Sequence, residues 1–445
     1  MKTKVAMLSL GCARNLVDAE VILGYLKQAG FSICEEIEQA DVAIVNTCCF
    51  IREAEEESID MILKLCQLKQ KGKINKIIVS GCLTQRYKNE LKPELKEIDA
   101  FLDVGSIDKI VTVVKQLLNS TKSLSEFSQP DFLYTHTSPR VFLTPQHFSY
   151  IKISEGCNHR CSYCIIPHLR GEYRSRPMDS ILQEVDTLFN IQGVSEINLI
   201  GQDTTMYAQD LYQESRIAQL LTKLSAKAKD RWLRLLYAYP ANFPQELITV
   251  IKDNLAICKY IDLPIQHIND RILKAMNRAT SRKQVLSLIA SLRKQIPQLA
   301  IRTTLIVGFP GETDEEFKEL LNFIRQIKFE RLGLFKYSRE KDTAAYNFSE
   351  QIPEKTKQAR YDQALSLQQD ISREINQRFL GKELRILIDE KPPEDKDVFL
   401  GRSQYDAPEV DGCVYVKSGK PLKVGEFVQV RITDTLEYDL VGEAI

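Results

Sequence analysis

A strand-then-helix alternation repeats six times between residues 150 and 337, and it restricts the possible folds more than any other feature of the sequence. Short apolar, β-branched runs predict the strands, and stretches with apolar residues at helical spacing fill the gaps between them. Consecutive β/α units build a parallel sheet covered by helices, so six of them predict a partial barrel, open relative to the eight-unit form. The predicted strands are Tyr150–Ser154, Glu196–Ile200, Trp232–Tyr237, Tyr260–Leu263, Ile301–Val307 and Leu332–Tyr337.

The segments on either side of this barrel have patterns of their own. Before it, the apolar runs Val5–Leu10, Val42–Asn46 and Ile77–Ser80 alternate with amphipathic helices, which predicts a parallel α/β domain. After it, one long polar helix, Glu354–Phe379, leads to short alternating strands that indicate a small β-barrel. The strands of that barrel are predicted at Leu384–Ile388, Cys413–Val416, Phe427–Thr433 and Asp439–Glu443. We therefore predict an α/β protein with three domains, at residues 1–130, 143–375 and 378–445.

Composition and charge exclude several classes of protein. The 445-residue chain carries 60 basic and 60 acidic residues, so its net charge gives no general attraction to nucleic acid. No stretch reaches the roughly eighteen apolar residues of a membrane span, and the first residues lack the long apolar region of a signal peptide. These features favour a cytoplasmic protein without membrane contact. In the reducing cytoplasm its 11 cysteines are expected as free thiols that serve packing, catalysis or metal binding, not as a disulfide framework.

Three cysteines form a Cys-x3-Cys-x2-Cys run directly after the first predicted barrel strand, at Cys157, Cys161 and Cys164. Three thiolates on one tight loop can hold three irons of a cubane cluster, which leaves the fourth iron open to another ligand. Zinc is the alternative, but a zinc site needs a fourth Cys or His at similar spacing, and His159 lies too close in sequence. None of the five histidines has a partner at metal or catalytic spacing.

A second set of cysteines lies in the amino-terminal domain. Cys12, Cys48 and Cys82 each follow one of its predicted strands, at intervals of 36 and 34 residues. The carboxyl ends of parallel strands share one edge of a sheet, and helices that begin there favour anions such as thiolates. The three cysteines are therefore predicted to meet in space and to bind a second cluster, although each alone could be a buried thiol. The five other cysteines are interpreted as structural: Cys34, Cys49, Cys66, Cys258 and Cys413.

The Cys157 run, with the aromatic Tyr163 before its last cysteine, resembles the defining motif of the radical S-adenosylmethionine (SAM) enzymes. The chain as a whole is similar to the methylthiotransferases of that superfamily, which have a cluster-binding first domain, a radical barrel and a terminal β-barrel called TRAM. The resemblance covers nearly the whole length. Its matching residues are Gly11-Cys12 with Asn15 and Glu20, Asn46-Thr47-Cys48, Ser80-Gly81-Cys82, the Cys157 run, and Gly308-Phe309-Pro310-Gly311-Glu312-Thr313.

This resemblance implies two 4Fe–4S clusters and SAM as cofactors. The cluster of the Cys157 run would bind SAM through its open iron, and an electron from it would cleave SAM to methionine and a 5′-deoxyadenosyl radical. The three amino-terminal cysteines would hold the auxiliary cluster. The resemblance also implies an electron donor such as flavodoxin or ferredoxin. No catalytic residue beyond the cluster ligands is predicted.

Two branches of this family differ in their substrate. One modifies isopentenyl-adenosine in transfer RNA, and the other modifies the β-carbon of an aspartate in small-subunit ribosomal protein twelve, a basic protein. Residues 381–445 carry nine basic and 14 acidic residues, a formal charge of −5, which disfavours RNA and favours a basic protein partner. Four local sequences look like the ribosomal-protein branch, with departures at Ala19 and Cys49: Gly11–Glu20, Asn46–Ile51, Gly201–Thr205 and Gly401–Gly412.

Methylthiolation of the ribosomal protein is thus the predicted function, with transfer RNA methylthiolation as the alternative and a non-catalytic iron–sulfur electron carrier as a third interpretation. Removal of the acidic terminal barrel is expected to weaken substrate binding and to leave SAM cleavage intact. The roles of Arg302, Gln202 and Gln266 stay open, since they could contact SAM or could be polar plugs in the barrel mouth. Thr313 and Glu316 predict a capping box, so their motif could serve only to start a helix.

Overall fold

The computed structural model describes residues 2–120, 122–241, 243–395 and 397–445. The chain is divided into two compact units, and the limits of the three predicted domains stay predictions. In the part of the chain that the structure describes, no helix combines the length and the apolar character needed to cross a membrane. The first unit contains Met1–Leu143, Tyr150–Arg160 and Cys164–Ile181, and the second contains Thr144–Ser149, Cys161–Tyr163 and Leu182–Ile445.

A six-stranded parallel sheet is the centre of the first unit, as the alternating pattern predicts. Its strands are β1 Lys4–Ser9, β2 Ser32–Ile33, β3 Val42–Thr47, β4 Lys76–Gly81, β5 Ala100–Leu102 and β6 Leu124–Glu126. They lie in the order β2-β1-β3-β4-β5-β6. β1, β3 and β4 are the three strands predicted from the sequence, and every residue of β3 is buried, as in a sheet covered on both faces. The other three strands are too short to show a pattern in the sequence.

Helices pack against this sheet through apolar faces, as the helix after β3 shows. In the helix that follows β3, the buried residues Ser58, Ile62, Leu65 and Cys66 repeat at the spacing of one helical face, and most of the remaining residues are exposed. Burying this face against the sheet is what stabilises so polar a helix in water. The helices from the amino terminus onward are α1 Ala13–Gln28, α2 Arg52–Gln70, α3 Cys82–Tyr87, α4 Leu91–Glu94, α5 Ile110–Leu118, α6 Ile166–Arg170 and α7 Met178–Asn190.

Eight strands follow, β7 to β14, and six of them correspond to the predicted barrel strands. The strands are β7 Phe148–Lys152, the short antiparallel pair β8 Ser154–Glu155 and β9 Arg174–Ser175, β10 Glu196–Ile200, β11 Trp232–Leu235, β12 Tyr260–Asp262, β13 Ala300–Val307 and β14 Arg331–Lys336. Apart from the short pair, they form two three-stranded sheets, β11-β10-β7 and β12-β13-β14. A backbone bridge between Leu233 and Ile257 links β11 to the segment before β12, so the six strands follow one another as in a partial barrel.

Helices alternate with the barrel strands, as the sequence predicts. The capping box before one of them is confirmed: the Thr313 hydroxyl accepts from the Glu316 amide at 3.3 Å, and the Glu316 carboxylate accepts from the Thr313 amide at 2.8 Å. Both bonds satisfy amides that the first helical turn leaves free. The helices are α8 Gln209–Tyr212, α9 Ile217–Ala228, α10 Gln245–Asp253, α11 Asp270–Ala275, α12 Arg282–Gln295, α13 Asp314–Ile327 and the long α14 Glu354–Asn376.

The carboxyl-terminal residues form a closed five-stranded barrel, which confirms the predicted small β-barrel. Its strands are β15 Glu383–Glu390, β16 Val398–Ser403, β17 Val414–Lys417, β18 Phe427–Thr435 and β19 Leu440–Ala444. They close in the order β15-β16-β17-β19-β18, in which only the β17–β19 pair is parallel. Alternate side chains point inward and are buried, among them Ile386, Phe399, Val416 and Ile432. β16 is the one strand of this barrel that the sequence pattern does not predict.

Buried ion pairs attach this small barrel to the amino ends of the (β/α)6 strands. Glu196, the first residue of β10, accepts from Arg402 at 2.7 Å and from Arg234 at 2.8 Å. Its side chain is 0% exposed, as is that of Arg234. Burial alone would raise the pKa of Glu196, but Arg402 and Arg234 outweigh burial and lower it below its ordinary value. The charged form of Glu196 is therefore stable only while both arginines are in place.

Two acidic residues of the same segment repeat this arrangement. Asp406 accepts from Arg331, the first residue of β14, at 2.9 Å. Asp411 accepts from the Tyr260 hydroxyl, at the start of β12, at 2.7 Å, and lies 3.4 Å from Arg302. Removing the small barrel would take Asp406 away from Arg331 and one of two carboxylates away from Arg302, and it would expose the surface that the barrel covers. The expectation that a truncated chain keeps SAM cleavage stays a prediction, and these ion pairs add the expectation that the truncated chain is less stable.

We predict that Asp406→Ala lowers the free energy of unfolding by about 3–5 kcal/mol, because it leaves Arg331 buried without its counter-charge. Chemical denaturation at neutral pH measures this change. The matched control is Glu443→Ala, which removes an exposed acidic side chain from the same barrel and should change stability by less than about 0.5 kcal/mol. Equal effects of the two substitutions would contradict the attachment by buried charge.

Candidate functional site

The three amino-terminal cysteines lie at one edge of the first sheet. Cys12 caps the start of α1 after β1, Cys48 directly follows β3, and Cys82 is the first residue of α3 after β4. Since β1, β3 and β4 are neighbours and parallel, their carboxyl ends lie side by side. The loops that carry Cys12 and Cys48 are also close: a Cβ built on Gly11 would lie 2.9 Å from the Cys48 sulfur. The structure therefore brings together the three residues that the strand pattern singles out.

Side-chain hydrogen bonds hold these strand ends in register. The Asn15 amide donates to the Leu10 carbonyl at 2.6 Å and to the Thr47 carbonyl at 3.2 Å. In return, the Asn46 amide donates to the Asn15 carbonyl at 2.7 Å. The Thr47 hydroxyl donates to the Ser80 carbonyl at 2.5 Å and so reaches the third strand. Because these polar groups are buried, each bond is costly to lose, and the loops that carry the cysteines are fixed.

Two glycines allow the loops to approach one another this closely. Gly11 (φ +89°) and Gly81 (φ +99°) each precede a cysteine and have backbone conformations that side chains rarely adopt. A Cβ on Gly11 would lie 2.7 Å from Cys48 Cβ, and one on Gly81 would lie 2.6 Å from the Thr47 carbonyl oxygen. Any larger residue at these positions would have to push the strand ends apart. The Gly-Cys pairs are therefore steric requirements of this edge.

Arg170 reaches the same edge from α6. One of its Nη atoms lies 3.3 Å from the Cys82 sulfur and 3.2 Å from the Asn15 carboxamide oxygen, and the other donates to Asp18. Asp18 also pairs with Lys152, which in turn contacts Glu155 at 2.6 Å. All four charged side chains are at most 5% exposed. The sequence pattern misses Arg170 and Lys152, since nothing local in the chain indicates that partners 152 and 134 residues away contact them.

The charges around the three thiols affect them differently. Burial raises the pKa of the Cys12 thiol, but Arg14 and Arg170 outweigh burial and hold it below its ordinary value. Burial raises the pKa of Cys82 despite the nearby Arg170. Burial, together with the neighbouring Cys82 and Cys12 thiols, raises the pKa of Cys48 to about 12. The three sulfurs are thus close enough to oppose one another's ionisation, and a bound cation would remove that opposition.

The chemistry of this donor set fits an iron–sulfur cluster. In the described part of the chain, no three His, Cys, Asp or Glu side chains have the geometry to hold one metal ion. A cubane takes one thiolate on each of its irons, so its three ligands do not converge on a single point. Thiolates are also the ligands that select such clusters over hard cations. Three thiols at one sheet edge, with buried arginine beside them, match these requirements.

The Cys157 run forms the loop between β8 and α6. Cys157 and Cys164 belong to the first unit and Cys161 to the second, and all three are partly exposed. The Cys157 amide donates to the Gly171 carbonyl at 3.1 Å. Gly156 (φ +81°) allows this close approach, because a Cβ there would lie 2.0 Å from the Glu172 carbonyl oxygen. The beginning of the loop is therefore held in one conformation by backbone contacts.

The middle of the loop is anchored inside the second unit. The Ser162 amide donates to the Met276 carbonyl at 2.9 Å, and its hydroxyl donates to the Ala275 carbonyl at 2.8 Å. Arg278, which follows these carbonyls, places an Nη atom 3.9 Å from the Cys161 sulfur. Its guanidinium also lies over the Tyr239 ring, 4.2 Å from the centroid. Each set of cysteines thus has a buried arginine beside a sulfur, and sequence analysis identifies neither Arg170 nor Arg278.

The residues whose role the sequence leaves open have definite positions. Arg302 lies between two carboxylates, 3.1 Å from Asp262 and 3.4 Å from Asp411, which matches a polar plug of the barrel interior. Cys49 and Cys66 are buried in the hydrophobic core of the first unit, in a cluster that also contains Cys82, so their structural interpretation stays a prediction. Cys258 is buried as well, whereas Cys34 and Cys413 are partly exposed.

Comparison with known proteins supports all three parts of this chain. Residues 151–324 match the Radical SAM superfamily, residues 4–103 the uncharacterized protein family UPF0004, and residues 380–445 the TRAM domain. A relative from Desulforamulus reducens, named ribosomal protein uS12 methylthiotransferase RimO, is 48% identical over 99% of both chains. The chain belongs to the RimO family.

Other RimO family members are similar over the same length. Proteins of that name from Heliobacterium modesticaldum and Clostridioides difficile are each 46% identical over 99% of this chain, and the match spans 95% and 99% of those proteins. This RimO family chain is therefore a radical SAM methylthiotransferase. The electron-carrier interpretation is excluded by this result.

Solved structures support the fold. The radical SAM methyltransferase TsrM from Kitasatospora setae, with cobalamin and a 4Fe–4S cluster bound, superposes with a TM-score of 0.55 at 14% identity. The alignment covers 92% of this chain and 82% of that one. At this level of identity the likeness concerns the fold alone.

The glycine at the third strand end provides a test of the site geometry. We predict that Gly81→Ala lowers both the melting temperature and the iron bound after reconstitution, because its Cβ would lie 2.5 Å from the Asn46 side-chain oxygen. The matched control is Gly30→Ala. Gly30 also has a positive φ (+94°), but its Cβ would meet nothing within 4 Å, so only backbone strain of about 1–2 kcal/mol is expected and iron binding should persist. Equal iron loss in both variants would show that the close approach at Gly81 is unimportant.

Proposed function

We propose that this protein transfers a methylthio group to the β-carbon of an aspartate in ribosomal protein uS12, using SAM and two 4Fe–4S clusters. The observation that carries the proposal is the full-length similarity, at 44–48% identity, to proteins named for that activity. The two sets of three cysteines support it, since each provides the thiolates that one cluster needs. Methylthiolation of transfer RNA is the alternative, and the relatives do not favour it.

The six cysteines divide between the two clusters. We assign Cys157, Cys161 and Cys164 to the cluster that binds SAM. The auxiliary cluster is assigned to the three cysteines at the sheet edge, Cys12, Cys48 and Cys82. When bound, the first group supplies reductive cleavage of SAM to a deoxyadenosyl radical, and the second supplies sulfur. The loop contacts of Ser162 and the sheet-edge bonds of Asn15 hold the two sets of thiols in place before any cofactor binds.

The substrate explains why no acid or base residue is required. A β-carbon of aspartate has no leaving group, and its C–H bond is too weakly acidic for a side-chain base. Hydrogen abstraction by a radical avoids both obstacles. The protein's part is then to hold the cluster ligands, to bind SAM and to position the aspartate, which agrees with the lack of any predicted catalytic residue beyond the cysteines.

Some acidic residues of the terminal barrel are paired with arginines and are not available to a basic partner. Of the 14 acidic residues in 381–445, Asp406 and Asp411 contact Arg331 and Arg302 of the larger barrel. Arg402 of the same segment pairs with Glu196 of the larger barrel, so without these three residues the formal charge of −5 becomes −4. Exposed acidic residues remain on the β15–β16 connection for a basic partner: Glu390, Glu394, Asp395 and Asp397.

The roles of the three predicted domains, the electron donor and the location of the reaction complete the proposed function. We assign cluster binding to residues 1–130, radical chemistry to 143–375 and substrate contact to 378–445. The electron required for SAM cleavage would come from a small carrier such as flavodoxin or ferredoxin. A ribosomal substrate places the reaction in the cytoplasm, and transfer RNA is not expected as a partner.

We predict that the reconstituted protein binds about eight irons, four in each of two cubane clusters, and that two triple variants each bind about four. The first combines Cys12→Ala, Cys48→Ala and Cys82→Ala. It should still cleave SAM but should transfer no sulfur, because only the auxiliary ligands are missing. The second combines Cys157→Ala, Cys161→Ala and Cys164→Ala and should cleave no SAM. Iron analysis and deoxyadenosine assays measure both outcomes.

Cys49→Ala is the control for these variants. Cys49 directly follows Cys48, and neighbouring side chains of an extended chain point to opposite sides, so this substitution should keep about eight irons. Full iron content in the first triple variant, or halved iron in Cys49→Ala, would show that the auxiliary ligands are assigned to the wrong residues.

The substrate assignment predicts a specific product. Incubation of the reconstituted enzyme with SAM, a reductant and ribosomal protein uS12 should add one methylthio group to an aspartate, as measured by mass spectrometry of the intact protein and its peptides. Transfer RNA containing isopentenyl-adenosine serves as the competing substrate under the same conditions. Methylthiolation of the RNA with no change in the protein would reverse the assignment.

A further inference from the structure

Arg170 is a buried arginine in contact with a cysteine sulfur. It is the last residue of α6, six residues after Cys164, and its side chain is 4% exposed. One Nη atom lies 3.3 Å from the Cys82 sulfur, which is within the range of an N–H···S hydrogen bond. Burying a cation costs free energy unless the cation is paired. The Arg170 guanidinium therefore needs several partners to stay beside the buried Cys82 sulfur.

Those partners fix the direction of the guanidinium. The Nη atom that faces Cys82 also donates to the Asn15 carboxamide oxygen at 3.2 Å. The other Nη atom donates to Asp18 and lies 3.6 Å from Glu155. Asn15 is in turn held by its own bonds to the strand ends. The planar guanidinium therefore has one orientation, and that orientation presents an N–H group to the sulfur.

A fixed cation beside a cluster ligand has a predictable effect on reduction. One-electron reduction of a cubane adds a negative charge that is shared with its sulfur ligands. Hydrogen bonds to the sulfurs and nearby positive charge favour the reduced form and raise the reduction potential. Burial strengthens both effects, because the local dielectric constant is low.

We propose that Arg170 is a positioning residue for the auxiliary cluster: its N–H bond to Cys82 fixes that ligand and raises the cluster's reduction potential. The proposal rests on the assignment of Cys82 as a ligand. It gives α6 a role beyond closing the Cys157 loop, because the helix that follows the SAM-binding cysteines also carries the group that tunes the second cluster. The two sites are then linked by one short stretch of chain.

The test uses the full chain with Cys157→Ala, Cys161→Ala and Cys164→Ala as the parent, so that the auxiliary cluster alone is observed. Dithionite titration, followed by electron paramagnetic resonance of the reduced cluster, gives the midpoint potential. Arg170→Gln should lower the ratio of reduced to oxidised cluster at a given potential at least tenfold. For a one-electron couple this is a fall of 59 mV in the midpoint potential. Arg170→Lys keeps the charge and should show a smaller shift.

Arg140→Gln is the matched control. Arg140 is another buried arginine of the first unit, 5% exposed, and pairs with Glu20, so a general effect of losing a buried cation would appear here too. A potential unchanged by Arg170→Gln at equal iron content, or equal shifts in both variants, would overturn the inference. If Arg170→Gln alone loses iron while its melting temperature matches that of Arg140→Gln, the positioning role is supported. If the parent itself binds no iron, the ligand assignment fails instead.

Discussion

The shared carboxylate of Asp18 is the interaction on which the arrangement of the first unit depends. It lies on α1 and pairs with both Lys152 of β7 and Arg170 of α6, so three elements that are far apart in sequence meet at one buried charge. With Glu155 included, two acidic and two basic side chains balance, and none of them is tolerable inside the protein alone. Lys152 and Arg170 therefore complete the charge balance beside the sheet edge that carries Cys12, Cys48 and Cys82.

Much of this architecture can be predicted from the sequence because local patterns specify it. Most residues in the runs that form β3, β10 and β13 are apolar, and a cysteine follows each of three neighbouring strands of the first sheet, β1, β3 and β4. Strand alternation then places those cysteines at one edge without any knowledge of contacts. Local patterns do not indicate which residues pair over long distances in the sequence. Lys152, a charged residue within an apolar strand, gives no sign that its partner is Asp18, 134 residues earlier.

The short or interrupted strands are missed for a related reason. β2, β5 and β6 have two or three residues each, and β16 contains Gly401 and Arg402, so their strand character comes from neighbours in the sheet and not from their own composition. Net charge is misleading in a similar way. The acidity of residues 381–445 suggests a surface for a basic partner, yet Asp406 and Asp411 face arginines of the larger barrel. Formal charge of a segment describes its surface only after such internal pairs are removed.

The ion pairs at the amino ends of the large barrel limit how freely the small barrel can be exchanged. A terminal β-barrel is often regarded as a separate module that a family can replace to change its partner. Here Arg402, Asp406 and Asp411 complete a charge pattern whose other half, Glu196, Arg331 and Arg302, belongs to the larger barrel. A transplanted barrel would be accepted only if it brought matching charges at these positions. The two barrels are therefore electrostatically matched parts of one structural unit, and their pairing restricts which substitutions the facing segments tolerate.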